Sequence, residues 1–269
     1  MPRLRVGVVS FLNAQPLWVA LERDPDIELI PGNPAELSQM MAQGRLDLGV
    51  LPAVEALRLE ECELVTELGV AAQGPVESVG IFTKLQSGDT VEANSLRVDQ
   101  RSRTSVALAR IILGALDVTP EITAGEVRPE LFENYTESAL LLIGDDCLRA
   151  RAMWPDWRFL DLGQAWFEWT GLPFVFALWT ARPGVLTAAL RRKLNDALNL
   201  GQLEISSLAK ASRAATKQSE AYLTNYLTKV IRNRLDQRCM QGLVEFARRA
   251  VELEILPKSA MLKLPQGAA

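Results

Sequence analysis

The polar side chains best placed to do chemistry stand just beyond the ends of apolar runs. Asn13 follows the run Leu4 to Val9 and precedes a helix opened by Pro16. Glu77 and Ser78 lie just past the turn forced by Gly74 and Pro75. Arg101, Ser102, Arg103, Thr104 and Ser105 follow the run Leu96 to Asp99, and Gly144, Asp145 and Asp146 follow Ser138 to Ile143. In open α/β sheets the carboxyl ends of the strands frame the ligand crevice. The hydroxyls and free N–H groups of a helix start at Ser102 to Ser105, flanked by two arginines, suit a carboxylate or phosphate. Without a bound anion those arginines sit at the unfavourable end of the helix dipole. Simple capping by Ser102 or Thr104 is the alternative, and the same choice between cap and ligand group applies to Asn13, Asp145 and Asp146.

What the chain lacks narrows the chemistry. It contains no histidine, so the commonest general base and the commonest transition-metal ligand are both missing. Cys62, Cys147 and Cys239 are far apart with no CxxC pair, which argues for reduced thiols rather than a disulfide framework or a zinc site. A net charge of -4 speaks against nucleic acid as a partner, since that binding needs a basic face. Arg191, Arg192 and Lys193 read as a solvated helix face. No apolar run approaches the roughly 20 residues that span a bilayer. The N-terminal residues enter a strand pattern directly, without an extended apolar leader, so a cytoplasmic protein is expected.

The elements that must hold these residues follow an alternating order. Strand patterns at Leu4 to Val9, Ile27 to Ile30 and Leu46 to Pro52, with a helix opened by Asn33 and Pro34 and closed by Gly44, predict a β-α-β-α-β unit. Cys62 to Val70, Val76 to Thr83, Leu96 to Asp99, Ser138 to Ile143 and Arg158 to Leu160 add further strands. Six Phe and Trp residues lie between Trp166 and Trp179. Gly171 supplies a left-handed helix cap there, and Pro173 prevents the helix from continuing. That aromatic corner is either core or one wall of a ligand pocket. From Pro183 onward the pattern is helical, with a stripe Leu186, Leu190, Leu194, Leu198, then Tyr222, Tyr226 and Val230, then Leu243, Phe246 and Ala250. Residues after Lys258 read as a loose tail. Two α/β lobes joined by a double crossover result, 1–75 with 178–269 forming one and 76–177 the other. The cleft between them suits a small polar ligand. This layout is that of type II periplasmic-binding-protein folds, with a helical C-terminal part.

The same residues carry a family resemblance. SFLNAQPL from Ser10 to Leu17, GRLDLGVLP from Gly44 to Pro52, GPVESV from Gly74 to Val79, DQRSRTS from Asp99 to Ser105, LIGD from Leu142 to Asp145, and DLG at Asp161 to Gly163 with TGLPFVFALW from Thr170 to Trp179 resemble, in order, the blocks of chorismate dehydratases. These enzymes open the futalosine route to menaquinone. Phe11 and Asn233 depart from the family, which usually has tyrosine at the first position and commonly at the second.

The resemblance implies loss of water from chorismate to give 3-[(1-carboxyvinyl)oxy]benzoate, driven by aromatisation, with no metal or organic cofactor. It places Asn13 and Ser78 on the substrate as the catalytic pair. Ser102, Arg103, Thr104, Ser105, Gly144, Asp145, Trp166, Thr170 and Gly171 are the expected binding residues. Of the carboxylates near the motifs, Glu77, Asp47, Asp145 and Asp146, none is an evident base. Substrate assistance is therefore expected, with the enolpyruvyl carboxylate taking the C3 proton while Asn13 and Ser78 hold the reactive conformer. Chorismate is the expected partner, acted on by a monomer or homodimer. A solute-binding protein with the same cleft and no catalysis is the competing reading.

Overall fold

The computed structural model describes residues 3–83 and 93–264. Its first part runs β1 (Leu4–Val8), α1 (Gln15–Trp18), β2 (Ile27–Pro31), α2 (Pro34–Ala42), β3 (Leu48–Pro52), α3 (Ala53–Arg58) and β4 (Glu63–Ala72). The middle runs β5 (Val79–Thr83), β6 (Ser95–Asp99), α4 (Thr104–Ala115), β7 (Glu121–Gly125), β8 (Ala139–Ile143), α5 (Gly144–Met153), β9 (Arg158–Asp161) and α6 (Leu162–Thr170). Then come β10 (Phe174–Ala181), α7 (Ala188–Leu203), α8 (Ile205–Thr216), α9 (Glu220–Asn225), a π-helical turn at Tyr226–Val230, β11 (Ile231–Arg234) and α10 (Gln237–Glu252).

Among the described residues these strands form two sheets, ordered β11-β4-β10-β3-β1-β2 and β7-β6-β8-β5-β9. Sequence dictates much of this placement. Leu48–Pro52 is buried at every position, as a strand covered on both faces must be, and it sits centrally between β1 and β10. Asn33 opens α2 with a full capping box, its side chain accepting from the N–H groups of Ala35 and Glu36 while Glu36 returns to the Asn33 N–H. Gly171 ends α6 in the left-handed conformation at φ 68°.

Two chain crossings connect the sheets, β4 to β5 and α6 to β10. The Asp161 carboxylate ties them together by accepting the N–H groups of Val76, Glu77 and Gln164. Strand β10 begins at Phe174 and pairs at once with Ala72 of β4, so the chain is back in the first sheet ahead of the expected boundary at 178. Three further features depart from the sequence reading. Strand β7 was not expected because it is an exposed edge with no apolar alternation. The helical C-terminal part is interrupted by the π turn and β11, which pairs antiparallel with β4. The expected loose tail contains a 3-10 helix at Lys258–Lys263 with Ala260 and Leu264 buried, and residues 265–269 of it lie outside the described residues. The C-terminal helices also reach across the molecule: α7 packs on α1, α10 on β10, and α8 on α5 beside the second sheet.

Candidate functional site

A cavity of about 560 Å³, counting the space at its mouth, lies between the two sheets. Val9, just past β1, joins Val50, Val70 and Phe176 of the first sheet, Val79 and Ile143 come from the second, and the polar lining from Asn13, Ser102, Arg103, Thr104, Ser105 and Gly144. Ser102 and Arg103 also line a wider, more polar groove between α2, α3 and α4.

The start of α4 enters this cavity directly. Neither hydroxyl caps the helix: Ser102 Oγ is buried with no hydrogen-bond partner, and Thr104 Oγ1 accepts the Val54 N–H of α3 at 3.2 Å, linking the two lobes. Of the two arginines, Arg101 is committed to the fold. It chelates Asp99 at 2.9 and 2.5 Å and reaches Asp146 at 3.0 Å. Arg103 is exposed at the cavity and, among the described residues, has no ion-pair partner. A free cation, an unsatisfied hydroxyl and the N-terminal N–H groups of a 12-residue helix therefore converge on one spot.

The start of α5 carries its own negative charge. Asp146 is held by Arg101 and by Arg149 at 2.5 Å, while Asp145 caps nothing in its own helix and accepts the Leu12 N–H at 3.0 Å across the cleft. Burial pushes the Asp145 carboxyl up to about 6 against the pull of that N–H. Gly144 precedes it at φ 58°, packed so closely that a Cβ there would lie 2.6 Å from the Phe11 ring. Only glycine meets both demands.

Asn13 sits in a 3-10 turn at Leu12–Ala14, where it is not the N-cap. Its carbonyl accepts from Asn233 Nδ2 at 3.1 Å, which also donates to the Gly69 carbonyl at 3.0 Å. The Tyr226 hydroxyl donates to Ser78 Oγ at 2.7 Å, and the Asn13 side chain lies near the same phenol. Ser78 is fully buried and does not line the cavity, although its neighbour Val79 does and its carbonyl accepts from Gly144 N at 2.7 Å. It lies one layer behind the wall.

The other expected residues have structural surroundings. Trp166 is fully buried against Phe174 and Trp169, and Thr170 Oγ1 donates to the Trp166 carbonyl at 2.8 Å. The Gly171 carbonyl accepts from Arg238. None of the three lines the cavity; of the aromatic corner, Phe176 and Ala177 do. Asp47 is engaged by Arg5 and Arg182 at 2.9 and 2.5 Å, and Glu77 by Arg151 at 3.4 Å and by the Tyr222 hydroxyl. Tyr226 is the site residue that sequence reasoning missed. It falls in an apolar helical stripe, and the only hint was a phenol that needs a partner once buried. Among the described residues, no helix is long and apolar enough to cross a membrane.

With this geometry in view, comparison with known proteins is informative. The chorismate dehydratase of Thermus thermophilus is 29% identical over 265 residues, covering 90% of this chain and 93% of that one. The chorismate dehydratase of Campylobacter jejuni is 24% identical, covering 93% and 98%. In structure, a protein of Archaeoglobus fulgidus superposes with a TM-score of 0.73 at 13% identity, covering 94% and 98% of the two chains. The periplasmic aliphatic sulphonate binding protein of Escherichia coli does so with 0.66 at 15%, covering 99% and 92%. These likenesses establish the two-lobed periplasmic-binding-protein-like fold. The sequence model of a family described as menaquinone biosynthesis matches residues 4–252, nearly all of the chain. The protein belongs to the menaquinone biosynthesis family.

Proposed function

We propose that this protein is a chorismate dehydratase, acting in the cytoplasm as a monomer or homodimer and eliminating water from chorismate to give 3-[(1-carboxyvinyl)oxy]benzoate. The relatives bearing that name support the reaction, and the start of α4 supports the substrate. Chorismate carries two carboxylates, and Ser102 and Arg103 at the start of α4 offer one of them a site in the cavity wall. The ring carboxylate belongs there, because the enolpyruvyl carboxylate must stay free for the chemistry.

The elimination then balances within the substrate. The enolpyruvyl carboxylate takes the C3 proton, the C3–H electron pair becomes the new C3–C4 π bond, and the C4–O bond breaks. Hydroxide leaves and is protonated to water, so that one water is lost and the ring becomes aromatic. No protein base is required, in keeping with the engagement of Asp47, Glu77 and Asp146 in ion pairs and of Asp145 with the Leu12 N–H. Asn13, which lines the cavity, holds the reactive conformer, and Ser78 supports it from the layer behind. Positioning of this kind removes much of a barrier by supplying orientation in advance.

Incubating the purified protein with chorismate and resolving the products by chromatography and mass spectrometry tests the reading. A product lighter by one water, lost in Asn13→Ala, is expected. Chorismate that is bound but unchanged would leave a solute-binding function instead. Loss of turnover on replacing a single protein carboxylate, with binding retained, would overturn substrate assistance.

A further inference from the structure

We propose that Tyr226 is a positioning residue for this reaction, setting the direction of the hydrogen bonds that reach the substrate through Ser78 and Asn13. The inference rests on the dehydratase reading and extends it to a residue outside the cavity wall. Tyr226 is 1% exposed, and its hydroxyl donates to Ser78 Oγ at 2.7 Å while the Asn13 side chain lies near the same phenol. A phenol has one proton to give. With that proton given to Ser78, the phenol oxygen can only accept from its other polar neighbour, the Asn13 amide. The Asn13 amide is thereby oriented from behind the wall it lines, and the Ser78 proton is directed away from Tyr226. Swapping the ends of the Asn13 amide would break this chain.

The local fold supports the role. The α-helical ladder stops at Asn225, and Tyr226–Val230 forms a π turn, a rare element often found at functional sites. Tyr222, one turn earlier, puts its hydroxyl on Glu77, the residue before Ser78. Glu77 adopts φ 62°, a conformation that is strained for a side chain of its size. Two tyrosines on one helical face thus grip two consecutive residues of the crossing loop, and Asp161 holds the backbone of that loop from below. A segment that served packing alone would have no need to place both hydroxyls on that loop.

The test is a double-mutant cycle on turnover of chorismate by the full chain, using Tyr226→Phe, Ser78→Ala and the pair, with melting temperatures measured alongside. Tyr135→Phe, in a tyrosine remote from the cavity, serves as the control. Tyr226→Phe is expected to lower kcat by roughly 10- to 100-fold with KM changed less than about threefold, as for a misplaced reacting group. In the Ser78→Ala background the same change should have almost no further effect, because the two act as one unit. The double variant removes donor and acceptor together and so avoids an unpaired buried hydroxyl, keeping the cycle readable if Tyr226→Phe alone folds poorly. Full kcat in Tyr226→Phe, or losses that simply multiply in the pair, would overturn the positioning role. No turnover by the unmodified chain would instead remove the dehydratase reading, and the positioning role with it.

Discussion

Helices α4 and α5 both start where a strand of the second sheet ends, and both point their N-termini at the same cleft, yet they are finished in opposite ways. The α5 terminus is filled from within: Asp145 and Asp146 occupy its first turn, one bonded to Leu12 across the cleft and the other to Arg101 and Arg149. The α4 terminus has no acid in its first turn and no side-chain cap, and it keeps Ser102 unsatisfied beside Arg103, which has no ion-pair partner among the described residues. One fold therefore makes two electropositive helix ends and neutralises only one. The end left open is the one we propose selects an anionic ligand, while the closed end joins the lobes through Asp145 and Leu12. Arg101 illustrates the division, since it lies next to the open end but serves the closed one.

Reversing the charge at the open end should have the largest effect. Arg103→Glu is expected to lower kcat/KM by roughly 100-fold, chiefly through KM, because a charge-assisted contact is replaced by repulsion. Steady-state kinetics at two salt concentrations would check this, and an unchanged KM would place the carboxylate elsewhere. At the closed end the effects should fall on stability. Gly144→Ala adds a Cβ at φ 58° and against the Phe11 ring, and should destabilise the chain by about 2 kcal/mol or more, read as a lower melting temperature.

Asp145→Asn should change how stability depends on pH. A carboxyl raised to about 6 in the folded chain contributes stability that is fully present below its unfolded value and is lost as pH rises through 6. The unmodified chain should therefore lose ~2 kcal/mol relative to Asp145→Asn between pH 4 and pH 7, less than full linkage allows because the side chain keeps some solvent contact. Melting curves across that range test it, and parallel profiles would show that Asp145 does not titrate there. The smallest effect is expected from Ser102→Ala. It removes a buried hydroxyl with no partner, so stability should hold or rise slightly while KM increases by about fivefold to tenfold. A loss of stability would mean that the hydroxyl serves the fold after all.

Much of this was legible in the chain. Asn33 and Pro34 announce a helix start, Gly171 a left-handed cap, and the apolar run ending at Pro52 a strand, because each is a local demand met by local residues. The motif blocks at Asn13, Ser102 to Ser105 and Gly144 do converge on one cavity. The roles of Trp166, Thr170 and Gly171 were not legible, since an aromatic cluster reads the same whether it packs on itself or on a ligand, and here Trp166 packs on Phe174. Ser78 and Tyr226 were harder still. They are 148 positions apart in sequence, and their hydrogen bond exists only because two chain crossings and a π turn bring them together. Strand β7 escaped notice because its exposed side chains carry no periodic signal.

The most direct measurement is a crystal structure of the slow Asn13→Ala variant with chorismate bound. The ring carboxylate is expected within hydrogen-bonding distance of Ser102 Oγ and the first N–H groups of α4, near Arg103, with the enolpyruvyl carboxylate turned back towards C3. An enolpyruvyl carboxylate bound at Ser102, or an α4 terminus without substrate, would contradict it.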